Sequence, residues 1–297
     1  MASEKTDAIM IRIVEFSESS CIATMFTRDF GKIGAMVKGA RRPKSPFESA
    51  IDLLTISRIV FIHKSTDSLD LLTEAKLQRR FRAATRSLPH LYAGYYIAEL
   101  LDALTHTGDP HPDLYELTQE TVIQLDELQD PLSLVVRFEL NLLRMIGQKP
   151  SFENCTLCGL KVPRQPRIAF GQLSGGVLCG KCRVGQSRVI SLSWGVLEAM
   201  RLFSVCDTPV PSIDSMVMGE LRGVLNNYMA NMMGRRPRMQ KLLSMLGRPA
   251  TIRDDALSLL RKAETQAETQ ADLRNNTTST GEMDKDVLNE SRFSENN

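Results

Sequence analysis

The residues best equipped for chemistry are four cysteines in two Cys-x-x-Cys steps, "CTLC" at 155–158 and "CGKC" at 179–182. Each step aims two sulfurs at one point. Two of them supply four thiolates in a tetrahedron, which zinc accepts without redox chemistry. The twenty residues between Cys158 and Cys179 lie at the upper edge of the spacing usual for such sites. Gly159 and Gly180 can relax the two tight turns, and Gly175 and Gly176 permit a reversal between them. A redox dithiol would require one such step beside a βαβ unit, which the pattern lacks. Iron–sulfur ligation by four cysteines stays open; the spacing favours zinc. Four thiolates close the coordination sphere, whereas a catalytic zinc keeps a position for water or substrate. Cys155, Cys158, Cys179 and Cys182 are therefore expected to staple a loop and to catalyse nothing. Cys21 reads as a small barrel residue, and Cys206 as part of a linker.

The second chemical resource is positive charge. The net charge is only +2, but it is segregated. Residues 1–90 carry 15 basic and 10 acidic side chains, and residues 91–150 carry 3 and 10. Residues 151–252 carry 13 and 5, and residues 253–297 carry 6 and 10. Two basic blocks flanking an acidic one point to a polyanionic partner. The cations gather in short stretches. Arg28 and Lys32 bracket one turn, and Lys38, Arg41, Arg42 and Lys44 lie in "KGARRPKS". Lys76, Arg79, Arg80, Arg82 and Arg86 lie in "KLQRRFRAATR", and Arg235, Arg236, Arg238 and Lys241 in "GRRPRMQK". Each alone is an ordinary solvated face; together they favour a phosphate-binding groove. Arg28, Lys32, Lys38, Arg41, Arg42, Lys44, Arg79 and Arg80 are the expected DNA contacts. "HTGDPHPD" at 106–113 holds two His and two Asp, but its breakers make it a turn. Tyr92, Tyr95 and Tyr96 fall at helical spacing and read as core. No phosphate loop ending in Lys-Ser or Lys-Thr is present.

The elements that must position these groups change period along the chain. Residues 8–80 alternate in five short runs, with Ile9, Ile11 and Ile13 on one face of the first and a strand through "IDLLTISRIVFI" at 51–62. Five short strands with a basic loop after the third fit a small OB-type barrel. An SH3-like barrel fits almost as well. From residue 88 the period becomes helical: "LPHLYAGYYIAELLDALTH", "PDLYELTQETVIQLDEL", "PLSLVVRFELNLLRMIG", "SWGVLEAMRLF" and "SMVMGELRGVLNNYMANMM". The cysteine module at 150–183 interrupts these helices, with "IAF" as a strand packed toward it. The expectation is an α+β protein: a barrel over 1–80, a helical domain over 81–262 with an embedded four-cysteine zinc finger, and a disordered polar tail over 263–297. No run is long enough for a membrane span and the N-terminus has no signal-type core, so a soluble, unexported protein is expected.

These residues together resemble the RecO family of bacterial DNA repair and recombination mediators. The resemblance runs through "FTRDFGKIGAMVKGARRPKS", "LYAGYYIAELLDAL", "MIGQKPSFENCTLCG" and "IAFGQLSGGVLCGKC". The combination of Phe170, Gly175, Gly176, Cys179 and Cys182 is quite specific. The apolar run at 51–62 and the tail after 262 depart from it. The resemblance implies an N-terminal OB fold, a helical region and a four-cysteine zinc finger, with no enzyme activity. It implies binding of single- and double-stranded DNA and annealing of complementary strands. It further implies action with RecR, and often RecF, to load RecA on DNA coated by single-stranded DNA-binding protein (SSB), and binding of the SSB C-terminal tail. It carries the knuckle cysteines onto the finger, and Lys38, Arg41 and Arg42 onto the basic "GARR" region. A bacterial, cytoplasmic, nucleoid-associated protein with no membrane partner follows. The rival readings are a zinc-stapled adaptor with incidental basic patches, and a metal-dependent nuclease, for which no carboxylate or His cluster of convincing spacing is present.

Overall fold

In the computed structural model, which describes residues 3–47, 49–64, 68–205 and 212–246, the N-terminal alternation becomes five strands. They are β1 (Ser3–Glu15), β2 (Cys21–Thr27), β3 (Gly31–Val37), β4 (Ile56–Ile62) and β5 (Asp70–Arg79). The ring runs β1-β2-β3-β5-β4 and closes through β1 and β4. Its one parallel pairing is β3 with β5, through Ala35 with Asp70 and Met36 with Leu71. A simple meander would join β3 to β4 instead, so this order decides for the OB-type ring over the SH3-like one. Closure also leaves no long unpaired edge among the described strands. Ala8, Met10, Ala23, Met25, Ile33, Ile59 and Phe61 fill the interior, with Cys21 among them.

The first strand departs from the simple alternation. Ala8, Ile9, Met10 and Ile11 are all buried, because the barrel's outer surface is covered too. Ala8 and Met10 face the interior, and Ile9 and Ile11 face the helices. The register slips between Met10 and Arg12, which makes Ile11 the extra residue of a bulge. Ile13 therefore packs against the barrel interior and does not share a face with Ile9 and Ile11. The strand expected from residue 51 begins only at Ile56. Leu54 has φ of 63°, a left-handed backbone that a ladder does not admit. Its fully buried side chain lies against Gly94, where an added Cβ would come within 2.5 Å of Leu54 Cδ1.

The helices are α1 (Leu88–Leu104), α2 (Pro112–Asp126), α3 (Pro131–Met145), α4 (Trp194–Phe203), α5 (Ser215–Met233) and α6 (Gln240–Leu246). Their starts are chemically marked. Pro112 and Pro131 sit where a helix needs no N–H donor. Asp130 accepts from the Ser133 N–H, Ser193 from Val196, and Asp214 from Met216 and Val217. Gly234, at φ of 67°, ends α5. Between α3 and α4 lies a second sheet, ordered β7-β6-β8, of β6 (Arg167–Gly171), β7 (Gly176–Leu178) and β8 (Val189–Ser193). Sequence marked only its first strand. One core joins helices, second sheet and outer barrel face. Among the described residues no helix is long and apolar enough to cross a membrane. Cys206, the last part of the expected 81–262 domain and the 263–297 tail lie outside the described residues.

Candidate metal centre and cationic surface

Backbone pairing brings the two knuckles together. Ser151 bridges Gly176 in parallel, with the Ser151 N–H donating to Gly175 at 2.9 Å and the Val177 N–H donating to Ser151 at 3.0 Å. The Thr156 N–H then donates to Val177 at 3.1 Å. Cys155 and Cys179 thus follow directly from one shared ladder. Gly176 is required there: its φ is +156°, and a Cβ would lie 2.5 Å from the Ser151 carbonyl oxygen. Within the first knuckle the Gly159 N–H donates to Cys155, and the Cys155 N–H to Leu160.

The four Sγ atoms lie within 4.8 Å of one another, and those of Cys158 and Cys179 are 3.8 Å apart. Sulfurs at about 2.3 Å from a tetrahedral zinc stand about 3.8 Å apart, so the set fits such an ion. Burial resists ionisation of Cys155, but the N–H groups of Cys179, Cys158 and Leu157 outweigh it and hold the thiol down at about 6. Cys179 is lowered mainly by the Cys182 N–H, which points at its sulfur from 3.4 Å. Cys182 is pushed up to about 12 by the sulfurs of Cys179 and Cys158. The N–H groups around Cys155 and Cys179 thus favour negative charge on those sulfurs. This is a four-cysteine metal site.

The expected cationic residues divide into paired and unpaired groups. Arg28 pairs with Glu116 of α2 at 2.7 Å. Lys32 donates to the Asp102 carbonyl oxygen at 2.5 Å and lies 3.8 Å from the Asp102 carboxylate. Burial pushes its pKa down, against the pull of Asp102. These two cations tie the β2–β3 hairpin to the helices. Arg41 pairs with Glu15 at 3.0 Å. Lys38, Arg42 and Lys44 are exposed in the loop after β3, and among the described residues none has an ion-pair partner. Arg79 and Arg80 line one cavity with Arg82 and Arg86. No residue of the 38–44 loop lines it. Arg82 and Arg86 belong to the same basic stretch in the sequence but were not among the expected DNA contacts. Asp126, which holds the cavity wall, gave no sequence signal. The "HTGDPHPD" segment is a turn that docks on the barrel: the Gly108 N–H donates to Lys32 at 3.0 Å, and a Cβ on Gly31 would collide with the Asp109 backbone.

Two family profiles match the chain. The one described as "Recombination protein O N terminal" covers residues 1–81, and "Recombination protein O C terminal" covers residues 86–241. The chain belongs to the RecO family. A protein of Rhodopirellula baltica described as "DNA repair protein RecO" is 40% identical, over 80% of this chain and 97% of its own. Similar proteins bearing that description come from Myxococcus xanthus, at 30% over 81% of this chain and 97% of its own, and Moorella thermoacetica, at 28% over 82% and 91%. RecO membership places the chain among non-catalytic recombination mediators. The two profiles divide at the residues that join β5 to α1, beside the arginine cavity.

Proposed function

We propose that this chain is a DNA-binding recombination mediator of the RecF pathway. It binds single- and double-stranded DNA, anneals complementary strands and helps RecA load on SSB-coated DNA. One observation carries this reading: a RecO-family barrel and the segment that follows it leave Lys38, Arg42, Lys44, Arg80, Arg82 and Arg86 without ion partners among the described residues. Unpaired cations meet phosphates by counterion release, without reading sequence. The metal is zinc, held by Cys155, Cys158, Cys179 and Cys182. Its bound form supplies a structural crosslink. RecR and the acidic SSB tail are the direct protein partners, RecF and RecA act indirectly, and the bacterial cytoplasm at the nucleoid is the location.

Fluorescence anisotropy of labelled single- and double-stranded oligonucleotides across a salt series tests this. The expected result is sequence-tolerant binding that weakens steeply with salt. Replacing Lys38, Arg42 and Lys44 together with Ala should lower the single-strand slope by up to three contacts at roughly 0.7 each. No binding by the wild type at low salt refutes the reading. A second reading, a zinc-stapled adaptor, is favoured by the exposed Leu157, Leu160, Leu173 and Val184 on the finger module. Salt-independent protein capture without DNA binding would select it.

A further inference from the structure

The segment joining barrel to helices concentrates charge in a concave place. Arg79, Arg80, Arg82 and Arg86 line a cavity of about 650 Å³ with Leu77, Gln78, Asp126 and Glu127. Four guanidinium groups against two carboxylates leave an excess of two positive charges. The acids are also engaged elsewhere. Asp126 is buried, and one of its oxygens accepts from the N–H groups of Arg82 at 2.7 Å and Ala83 at 2.9 Å. Its other oxygen accepts from Arg79 Nε at 3.3 Å. Glu127 accepts from the side chain of Gln129 at 3.3 Å. Among the described residues, Arg80, Arg82 and Arg86 have no ion-pair or hydrogen-bond partner for their side chains.

We infer that this cavity is a phosphate seat, in which Arg80, Arg82 and Arg86 grip a phosphate group of a DNA strand while Arg79 and Asp126 hold the wall. Guanidinium forks match phosphate oxygens two at a time. The volume falls in the range of about 300–1,000 Å³ typical of ligand sites, so sugar as well as phosphate can enter. Among the described residues no aromatic side chain lines it, so the seat lacks a ring platform for a base, and its guanidinium groups serve the backbone phosphate. Asp126 is a positioning residue. By tying down two consecutive N–H groups it fixes the turn that presents Arg82 and Arg86. The seat rests on the DNA-binding reading above and gives it a defined place.

The test compares the wild type with an Arg80→Gln/Arg86→Gln variant of the full chain, and with Arg82→Gln as a second variant. Among the described residues these three exposed side chains make no hydrogen bond or ion pair that folding would lose. The probes are labelled oligothymidylate over a salt series and the phosphorus NMR line of inorganic phosphate. The expected outcome is that the double variant lowers the slope of log affinity against log salt by up to roughly 0.7, the one phosphate the seat holds, with melting temperature unchanged. If the wild type binds DNA steeply and both variants match it, the seat is wrong while the DNA-binding reading stands. If the wild type does not bind DNA at all, that reading falls first. If only the wild type broadens the phosphate line while DNA slopes are equal, the cavity takes free phosphate and the strand assignment is overturned.

Discussion

Glu139 lies at the centre of the helical core with no exposed surface. It accepts from the Tyr96 hydroxyl and from Arg222, whose other nitrogen donates to Asn226 at 2.7 Å. A buried ion pair is costly to desolvate, and removing one partner leaves an unmatched charge costing about 3–5 kcal/mol. Glu139→Ala should therefore lower stability by about that amount in urea denaturation, because Arg222 keeps its charge. Replacing both, as Glu139→Leu with Arg222→Met, should recover most of the loss, since a packed apolar pair avoids the desolvation cost. A Glu139→Ala cost below about 1 kcal/mol would show that the pair contributes little. Sequence gave no sign of this network. Glu139 and Arg222 are 83 residues apart, and charged residues in a helical pattern read as solvent-facing. Asp126 was hidden for the same reason, since its N–H partners lie 43 and 44 residues away. The cysteines were legible because their chemistry is set by local spacing.

At the scale of elements, the finger is an extension of the second sheet, and one ring reports on it. Trp194, the chain's single tryptophan, opens α4 with Arg164 and Arg201 each 5.3 Å from its ring centroid. Arg164 comes from the stretch after the first knuckle. Arg201 also donates to the Phe152 carbonyl oxygen at 2.7 Å, just before that knuckle. The Trp194 ring thus links finger and helix. Removing the metal with a chelator, or changing Cys158→Ser, should release Arg164 and alter Trp194 emission, because ligand binding and local folding are coupled at such sites. Gly176→Ala should give the same change through the ladder, with strain of about 1–3 kcal/mol and reduced metal content by elemental analysis. Emission and metal content unchanged in Gly176→Ala would break the proposed link between ladder and metal. The helices were legible from their period. The bulge at Ile11 was not, because apolar residues on both faces of β1 erase the alternation that register depends on. Two strands of the second sheet were too short, at three and five residues, to show a period of their own.

At the scale of the molecule, the sequence divides naturally into barrel and helices, yet the described chain packs them on one core. Ile9, Ile11, Phe26, Leu54 and Ile56 of the barrel segment share a cluster with Tyr96, Leu101, Leu114 and Phe138 of the helices. Gly31 and Gly94 permit the close approach, and Arg28–Glu116 and Lys32–Asp102 fasten its rim. The rim pairs contribute little where they are exposed; the shared apolar surface dominates, at roughly 1.5–3 kcal/mol for each large side chain buried. Neither part can keep that surface from water alone. Calorimetry of the metal-loaded chain should therefore show one cooperative transition for barrel and helices, with calorimetric and van't Hoff enthalpies in agreement. A fragment of residues 1–81 should lack Ile9, Ile11, Phe26, Leu54 and Ile56 as covered residues, bind a hydrophobic dye and self-associate. Substituting Gly94→Leu in the full chain should force the two layers apart and lower the single melting temperature without splitting it. Two separate transitions in the wild type, or a monomeric 1–81 fragment with native-like stability, would show that the barrel is an independent domain that only rests against the helices.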